Sequence, residues 1–434
     1  MRLRAMVLLS LALRSGGLLR GVVKRSSSLG ARPANAEKGR EYIGLAKAVS
    51  RKPRHEDPIG AFSGLPSKEL YVVLGIETSC DDTACAVVRS DGMVLGESIA
   101  SQHSIHAAYG GIVPNLAMQA HQEAIHRVVE EALDCAGLKT SDIDAIACTV
   151  GPGLEICLRV GANKAREMAE ELKLPFVRVH HLEAHCLVSR LGFQADGPEF
   201  PFVALLVSGG HCQLLWCEAL GKFEVIGGTL DDALGEAYDK AARMLGIAAP
   251  TGGGPALERL ALEGDASKFA LPIPLQKKKN NCDFSYAGLK NALRVQTQNA
   301  RLDLCLAESE PLPRSTAADL AASFQAVAIR HLEDRLKVAF NQTRPAFGAS
   351  ADAPTLAVVG GVAANKELRR RIGALCDAEG WRLAVPEPRL CTDNGVMVAW
   401  AAIEKLNAGQ SHDPGEEMVL ARWPFREHEA STAH

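Results

Sequence analysis

The sequence runs to 434 residues, with 47% hydrophobic and 23% charged side chains and a formal net charge of −3. That length allows two domains or lobes with cores of their own, and the composition is globular rather than disordered or fibrous. No apolar run approaches the roughly 20 residues a membrane span needs.

Residues 1–36 carry Arg2, Arg4, Arg14, Arg20, Lys24, Arg25 and Arg32 and no acid; the first carboxylate is Glu37. An acid-free N-terminus rich in Arg, Ser and Leu has the composition of a mitochondrial presequence. The short apolar stretch Ala5–Leu13 also fits a secretory signal, but the basic residues that follow so closely suit that reading less. Without this segment the net charge is about −10, so any grip on RNA needs a local basic patch or a partner. Twelve cysteines scattered through apolar or glycine-flanked runs, without zinc-ribbon spacing, predict reduced thiols.

Residues 37–70, polar and broken by Pro53, Pro58 and Pro66, read as a linker. A buried-strand pattern opens at Tyr71-Val72-Val73-Leu74-Gly75-Ile76. The polar turn Glu77–Thr83, a return strand Ala84–Val88 and a third strand near Met93–Ala100 follow. Leu116–Ala136 predicts an amphipathic helix ended by Gly137, Ile143–Val150 a strand, residues 161–172 a helix, and Phe176–Val179 a strand. After the break at Gly192–Pro201 the theme recurs, with strand Phe202–Val207, turn Ser208-Gly209-Gly210-His211 and return strand Cys212–Cys217. Strand–helix alternation with this repeated opening predicts an α/β fold containing a weak internal duplication. Helices are expected over 232–245, 255–263, 317–341, 364–379 and 394–406, a strand over Leu356–Val359, and an irregular loop over 265–285.

Four patterns carry chemistry. In His181-Leu182-Glu183-Ala184-His185 the two histidines share a face if the segment is helical, and two imidazoles on one face can hold a metal ion; ordinary surface polarity is the alternative. Its place after a strand favours a ligand site. Asp393, in Cys391-Thr392-Asp393-Asn394-Gly395, is the candidate third ligand, although either Thr392 or Asp393 could instead cap the following helix. Glycine turns at Ser208-Gly209-Gly210, Gly252-Gly253-Gly254-Pro255 and Gly360-Gly361 could cradle phosphate or serve only as turns. Asp232 and Asp239, seven apart, share a helix face, and Asp239 could bond ribose hydroxyls or simply be solvated. Lys277-Lys278-Lys279 and Arg369-Arg370-Arg371 are the dense basic runs and candidate RNA phosphate contacts.

Taken together, Leu74-Gly75-Ile76-Glu77-Thr78-Ser79-Cys80-Asp81-Asp82-Thr83, Gly110-Gly111-Ile112-Val113-Pro114, His180–His185, Leu206–His211, Asp283-Phe284-Ser285, Gly360–Asn365 and Cys391–Gly395 resemble, in order, the motifs of the universal tRNA threonylcarbamoyladenosine transferase family. The resemblance covers about residues 71–426, and with the presequence it points to the mitochondrial branch and the matrix. It implies an actin-like, sugar-kinase-like fold, with a first lobe over 71–190, a second over 200–390, and a C-terminal helix and tail over 391–426 returning to the first lobe. It implies one divalent metal (Zn, Fe or Mn) on His181, His185 and Asp393. Adenylate contacts are implied from Leu206, Val207, Ser208, Gly209, Gly210, Asp239, Gly254, Glu258, Ala364 and Asn365, with Thr392 beside the metal. The implied reaction moves a threonylcarbamoyl group from threonylcarbamoyl-AMP to N6 of adenosine 37, 3′ of the anticodon, in mitochondrial tRNAs that read codons starting with A. An upstream synthase would supply the adenylate, and the family pattern allows a homodimer. No protein nucleophile is required; Asp82 and the metal site are the catalytic candidates. The sequence departs from the family at Asp82, usually Glu, at Glu155-Ile156-Cys157, usually small and glycine-containing, and at Leu206, a tyrosine in archaeal and eukaryotic cytosolic relatives. Two other readings are a metal-dependent endopeptidase and an actin-fold ATP-binding chaperone. The first is weakened because Glu183 does not directly follow His181 as in His-Glu-x-x-His enzymes.

Overall fold

A computed structural model describes residues 69–427, less 108, 110, 194–196, 248–251, 279, 308, 349–352 and 413–418. The presequence reading, most of the linker reading and Lys279 fall outside the described residues.

The first sheet contains β1 (Val72–Glu77), β2 (Asp82–Arg89), β3 (Val94–Ser101), β4 (Ala145–Gly151) and β5 (Phe176–His180), in the order β3-β2-β1-β4-β5. Strands β1, β2 and β3 pair antiparallel, whereas β4 and β5 run parallel to β1. Its helices are α1 (His103–Ala107), α2 (Pro114–Ala136), α3 (Glu155–Leu172) and α4 (His181–Leu187). The second sheet contains β6 (Phe202–Val207), β7 (Cys212–Ala219), β8 (Lys222–Gly228), β9 (Thr355–Val359) and β10 (Arg382–Ala384), in the order β8-β7-β6-β9-β10. The strand directions repeat those of the first sheet one for one. The duplication glimpsed in two hairpins is therefore a full five-strand repeat, the topology of an actin-like, sugar-kinase-like α/β fold. Helices α5 (Leu234–Met244), α6 (Gly253–Ala261), α7 (Ala287–Asp303), α8 (Arg314–Thr343), α9 (Lys366–Glu379), α10 (Pro388–Cys391) and α11 (Gly395–Asn407) complete the chain, and β11 (Arg426–Glu427) adds parallel to β8.

Local chemistry accounts for most boundaries. Every residue of β6 and β9 is buried, so these central strands read as unbroken apolar runs rather than alternating ones. Helix α2 starts with Pro114 in its first turn and ends on Gly137 at φ 66. Helix α3 begins at Glu155 rather than near 161, because the atypical Glu155-Ile156-Cys157 stretch forms its first turn, with an acid where the helix dipole favours one. Helix α7 had no local start signal: the Asp231 carboxylate accepts from the Tyr286 and Ala287 amides, 2.7 and 3.1 Å away, from 55 residues upstream. All twelve cysteines are free. Among the described residues no helix is long and apolar enough to cross a membrane.

The C-terminal segment fixes the site. Helix α11 lies directly on β1 and β2: a Cβ on Gly75 would stand 2.4 Å from the Ala399 amide nitrogen, and one on Gly395 would stand 2.3 Å from that of Ala86. Only glycine permits such backbone approach. The tail then passes the ends of the first sheet, where the Leu420 amide donates to the Val150 carbonyl at 2.7 Å. It finishes as β11 on the second sheet, so it joins both halves rather than returning to the first alone.

Candidate metal centre and nucleotide cleft

Helix α4 starts where β5 ends. His180 caps it: its Nδ1 accepts from the Leu182 and Glu183 amides at 3.2 and 3.3 Å, which leaves Nε2–H to donate to the Trp423 carbonyl at 2.7 Å. Burial pushes His180 down to about 4, so it serves as a neutral cap. His181 and His185, one turn apart on α4, stand with ring centroids 4.7 Å apart and planes at 84°. Asp393 Oδ1 lies 3.0 Å from His185 Nε2 and 3.7 Å from His181 Nε2. Neither Thr392 nor Asp393 caps α11; Asn394 does, its Oδ1 accepting from the Met397 amide at 2.8 Å. The helix-cap alternative for Asp393 is thereby removed.

Glu77, fully buried at the end of β1, places Oε2 3.3 Å from His181 Nδ1 and also accepts from the Ser79 amide and the Thr149 hydroxyl. A carboxylate behind one imidazole nitrogen fixes the tautomer and turns the other nitrogen's lone pair outward. Burial alone would depress His181, but Asp393 and Glu77 outweigh it and raise it to about 9. Burial likewise pulls Asp393 up, and the two histidines hold it well below the usual carboxylate range instead. The ligand atoms of His181, His185 and Asp393 all lie within 4.8 Å of one another. Two imidazole nitrogens and one carboxylate oxygen, with a buried carboxylate supporting His181, fit one divalent cation of the Zn, Fe or Mn kind.

Two neighbours escaped the sequence reading. Glu77 sat in the opening motif with no role given to it, because nothing local pairs it with a residue 104 positions on. His211, placed only in a turn, has its ring 6.5 Å from that of His181, and burial together with the two ligand histidines pushes it down to about 4. Asp82 opens β2 half-buried, and its Oδ1 has no hydrogen-bond partner among the described residues. Burial pushes its carboxyl up to about 7, against a hydrogen bond from Ser101 and with the Asp393 and Asp81 charges adding.

The residues that the resemblance implies for the adenylate lie on the β6–β7 turn, on α5 and α6, and on the turns after β9 and α10. Ser208–His211 is the β6–β7 hairpin turn: the Ser208 amide donates to the His211 carbonyl at 2.8 Å, and the His211 amide donates to the Ser208 hydroxyl at 3.0 Å. A Cβ on Gly209 or Gly210 would meet nothing within 4 Å, so the turn faces open space. Leu206 and Val207 are buried core side chains, so only their backbone could meet a ligand. The Ser208 carbonyl accepts from the Gly235 amide of α5 at 3.1 Å. On the same helix, Asp239 Oδ1 accepts from the Gly254 amide at 3.1 Å, pinning the glycine turn that starts α6. Glu258 of α6 accepts from the Lys366 amide at 2.7 Å, closing onto α9. Half-buried Ala364 ends the 3-10 turn after β9, and Gly361 faces Thr392 next to Asp393. Gly360, at φ 91, abuts the Val207 carbonyl, so it serves close packing.

Asn365 is the N-cap of α9, accepting from Leu368 at 2.8 Å and donating to Gln325 at 3.1 Å, so both ends of its side chain are engaged. Within the arginine run, Arg369 donates to the Ala363 and Pro386 carbonyls, Arg371 pairs with Glu333, and Arg370 pairs with Glu367 on an exposed face. Asp232 lies just before α5 rather than on the helix that carries Asp239, and it pairs with Lys240 and Lys290. Lys277 and Lys278 remain exposed, with no acid paired to them among the described residues, on a loop held from beneath by Arg335, which donates to the Lys278 carbonyl at 2.6 Å.

The sequence profile described as tRNA N6-adenosine threonylcarbamoyltransferase matches residues 93–400. A relative from Arabidopsis thaliana named "Probable tRNA N6-adenosine threonylcarbamoyltransferase, mitochondrial" is 45% identical over 366 residues, covering 82% of this chain and 75% of the relative. The Gluconobacter oxydans protein named "tRNA N6-adenosine threonylcarbamoyltransferase" is 45% identical over 369 residues, covering 85% and 97%. Among solved structures, HypF of T. kodakarensis overlays with a TM-score of 0.48 at 16% identity, over 80% of this chain and 49% of that one. With that profile and those identities across most of its length, the chain belongs to the tRNA N6-adenosine threonylcarbamoyltransferase family.

Proposed function

We propose that the chain transfers a threonylcarbamoyl group from threonylcarbamoyl-AMP to N6 of adenosine 37 in mitochondrial tRNAs that read codons starting with A. The observation that supports this reading is that His181, His185 and Asp393, distant in the chain, converge on one cluster in a protein of this family. The N6 amine attacks the carbamoyl carbon, the bond to the adenylate oxygen breaks, and AMP departs as the N6 proton is released. His181, His185 and Asp393 would hold a divalent cation, which would supply Lewis acidity toward the carbamoyl or phosphate oxygens. Open backbone at Gly209 and Gly210 suits a phosphate, and the Asp239 carboxylate suits ribose hydroxyls. Asp82, with its raised pKa, is the candidate to receive the N6 proton. If it does, Asp82→Asn lowers turnover more than tRNA binding; equal losses in both remove that role. Lys277 and Lys278 are the candidate contacts to tRNA phosphates.

The peptidase reading is not favoured. Glu183 is bound to Lys405 and the Gly221 amide at 2.9 and 3.0 Å, and is not available as a general base. The deciding experiment supplies purified protein with matched tRNA and preformed threonylcarbamoyl-AMP. Modified adenosine and AMP should appear in equal amounts without ATP consumption, and unmodified tRNA would overturn the reading. The acid-free N-terminus supports action in the mitochondrial matrix; a reporter fused to residues 1–36 that enters the secretory pathway would overturn that.

A further inference from the structure

The metal-binding reading requires α4, which carries both histidines, to sit at one fixed height against α11, which follows Asp393. Apolar packing alone specifies that height poorly, because a small slide along either helix exchanges one aliphatic contact for another. Two buried ion pairs cross the same junction. Glu183, on the side of α4 away from His181 and His185, places Oε2 2.9 Å from Lys405 Nζ of α11, with both side chains under a tenth exposed. Just beyond α4, Arg190 meets the adjacent Glu404 at 2.9 Å and also lies over the Phe200 ring. The signs alternate: acid then base along the α4 segment, neighbouring acid and base on α11. A shift in register would bring like charges together in a dry setting or leave one unpaired, which costs far more than the apolar slide. Glu183 Oε1 also accepts from the Gly221 amide at 3.0 Å, at the β7–β8 turn of the second sheet, where Gly221 adopts φ 72.

We propose that Glu183, with Lys405, Arg190 and Glu404, forms a charge lock that sets the separation of the metal ligands, which makes Glu183 a positioning residue for the metal centre. This rests on His181, His185 and Asp393 holding the metal. Buried ionic groups gain little stability over apolar substitutes, and their best-attested use is to fix one register among several.

The test titrates metal-stripped, full-length protein with Co²⁺, whose visible absorption reports coordination geometry, alongside thermal unfolding. Glu183→Gln keeps an acceptor for Gly221 but leaves Lys405 charged and unpaired. Glu183→Gln combined with Lys405→Met removes that stranded charge. The expected result is a destabilised single variant and a double variant restored to near wild-type melting. Both should bind Co²⁺ about tenfold more weakly, with an altered spectrum, as for other groups that orient metal ligands from behind. Wild-type affinity and spectrum in the stably folded double variant would overturn the lock. A wild-type protein that binds no Co²⁺ would overturn the metal reading, and the lock's role with it. Weakening in Glu183→Gln that the double variant fully repairs would reduce Glu183 to a fold-stabilising residue and also overturn the proposal.

Discussion

Asn394 joins helix formation to the site most directly, and replacing it tests that link. Its Oδ1 caps α11 through the Met397 amide at 2.8 Å, while its Nδ2 donates to the Leu390 and Thr392 carbonyls at 3.2 and 2.7 Å. The side chain has no exposed surface. Asn394→Ala removes the cap, which costs about 1 kcal/mol. It also strands the carbonyl of buried Leu390 at roughly 1–3 kcal/mol, whereas exposed Thr392 can turn to water. The expected loss is therefore about 2–4 kcal/mol. Asn394→Asp keeps the cap acceptor but turns a second carboxylate oxygen toward the Leu390 and Thr392 carbonyls in a buried site, so a loss at least as large as that of alanine is expected. Because Asp393 immediately precedes the cap, fraying of this turn in Asn394→Ala should weaken metal binding as well. Denaturant unfolding and competition with a chromophoric chelator measure the two effects. Stability within about 0.5 kcal/mol of wild type for Asn394→Ala, with full metal affinity, would refute the reasoning.

His185→Ala and Asp393→Ala should each lose bound metal and most transfer activity while melting cooperatively; elemental analysis at full occupancy in both would remove them as ligands. Replacing Lys277 and Lys278 together with alanine should raise the KM for tRNA more than that for the adenylate, with a defect that deepens as salt rises; an unchanged salt slope would exclude phosphate contact. His331, with no exposed surface and accepting from the Ser285 amide at 3.2 Å, is pushed by burial from 6.5 down to about 4. The unfolded chain therefore binds the extra proton, so this stabilisation is complete above about pH 6.5 and disappears as pH falls toward 4, up to about 3 kcal/mol. His331→Gln should flatten the melting curve across that window, although His412, depressed in the same sense, will keep some slope; an unaltered slope counts against the assignment.

Local sequence was a good guide wherever the signal lies within a few residues. The Phe202–Val207 run is β6 to the residue, Gly137 ends α2, and the four-residue step from His181 to His185 became one helical face. The three expected metal ligands meet, although Asp393 lies 208 residues beyond His185, because ordered motifs supplied what spacing could not. Some motif residues also carry packing roles that the motif alone does not show. Asn365 caps α9, and Arg369 and Arg371 bind the Ala363 carbonyl and Glu333. The Gln325 and Glu333 partners, 40 and 38 residues upstream of Asn365 and Arg371, have no local signal.

Sequence by itself determined the α/β class, the two openings of the duplicated halves, the family and the histidine pair, since each is written in short-range periodicity or ordered motifs. Tertiary structure decided what depends on distant groups meeting. Asp231 starts α7 across 55 residues, and Glu77 supports His181 across 104. The backbone of α11 can reach β1 only because Gly75 has no side chain. It also decided which carboxylates serve the centre. Asp393 faces the histidines because Asn394 takes over the helix cap, and Glu183, two residues from each histidine, turns away because Lys405 and the Gly221 amide hold it in a buried site where an unpaired charge could not remain.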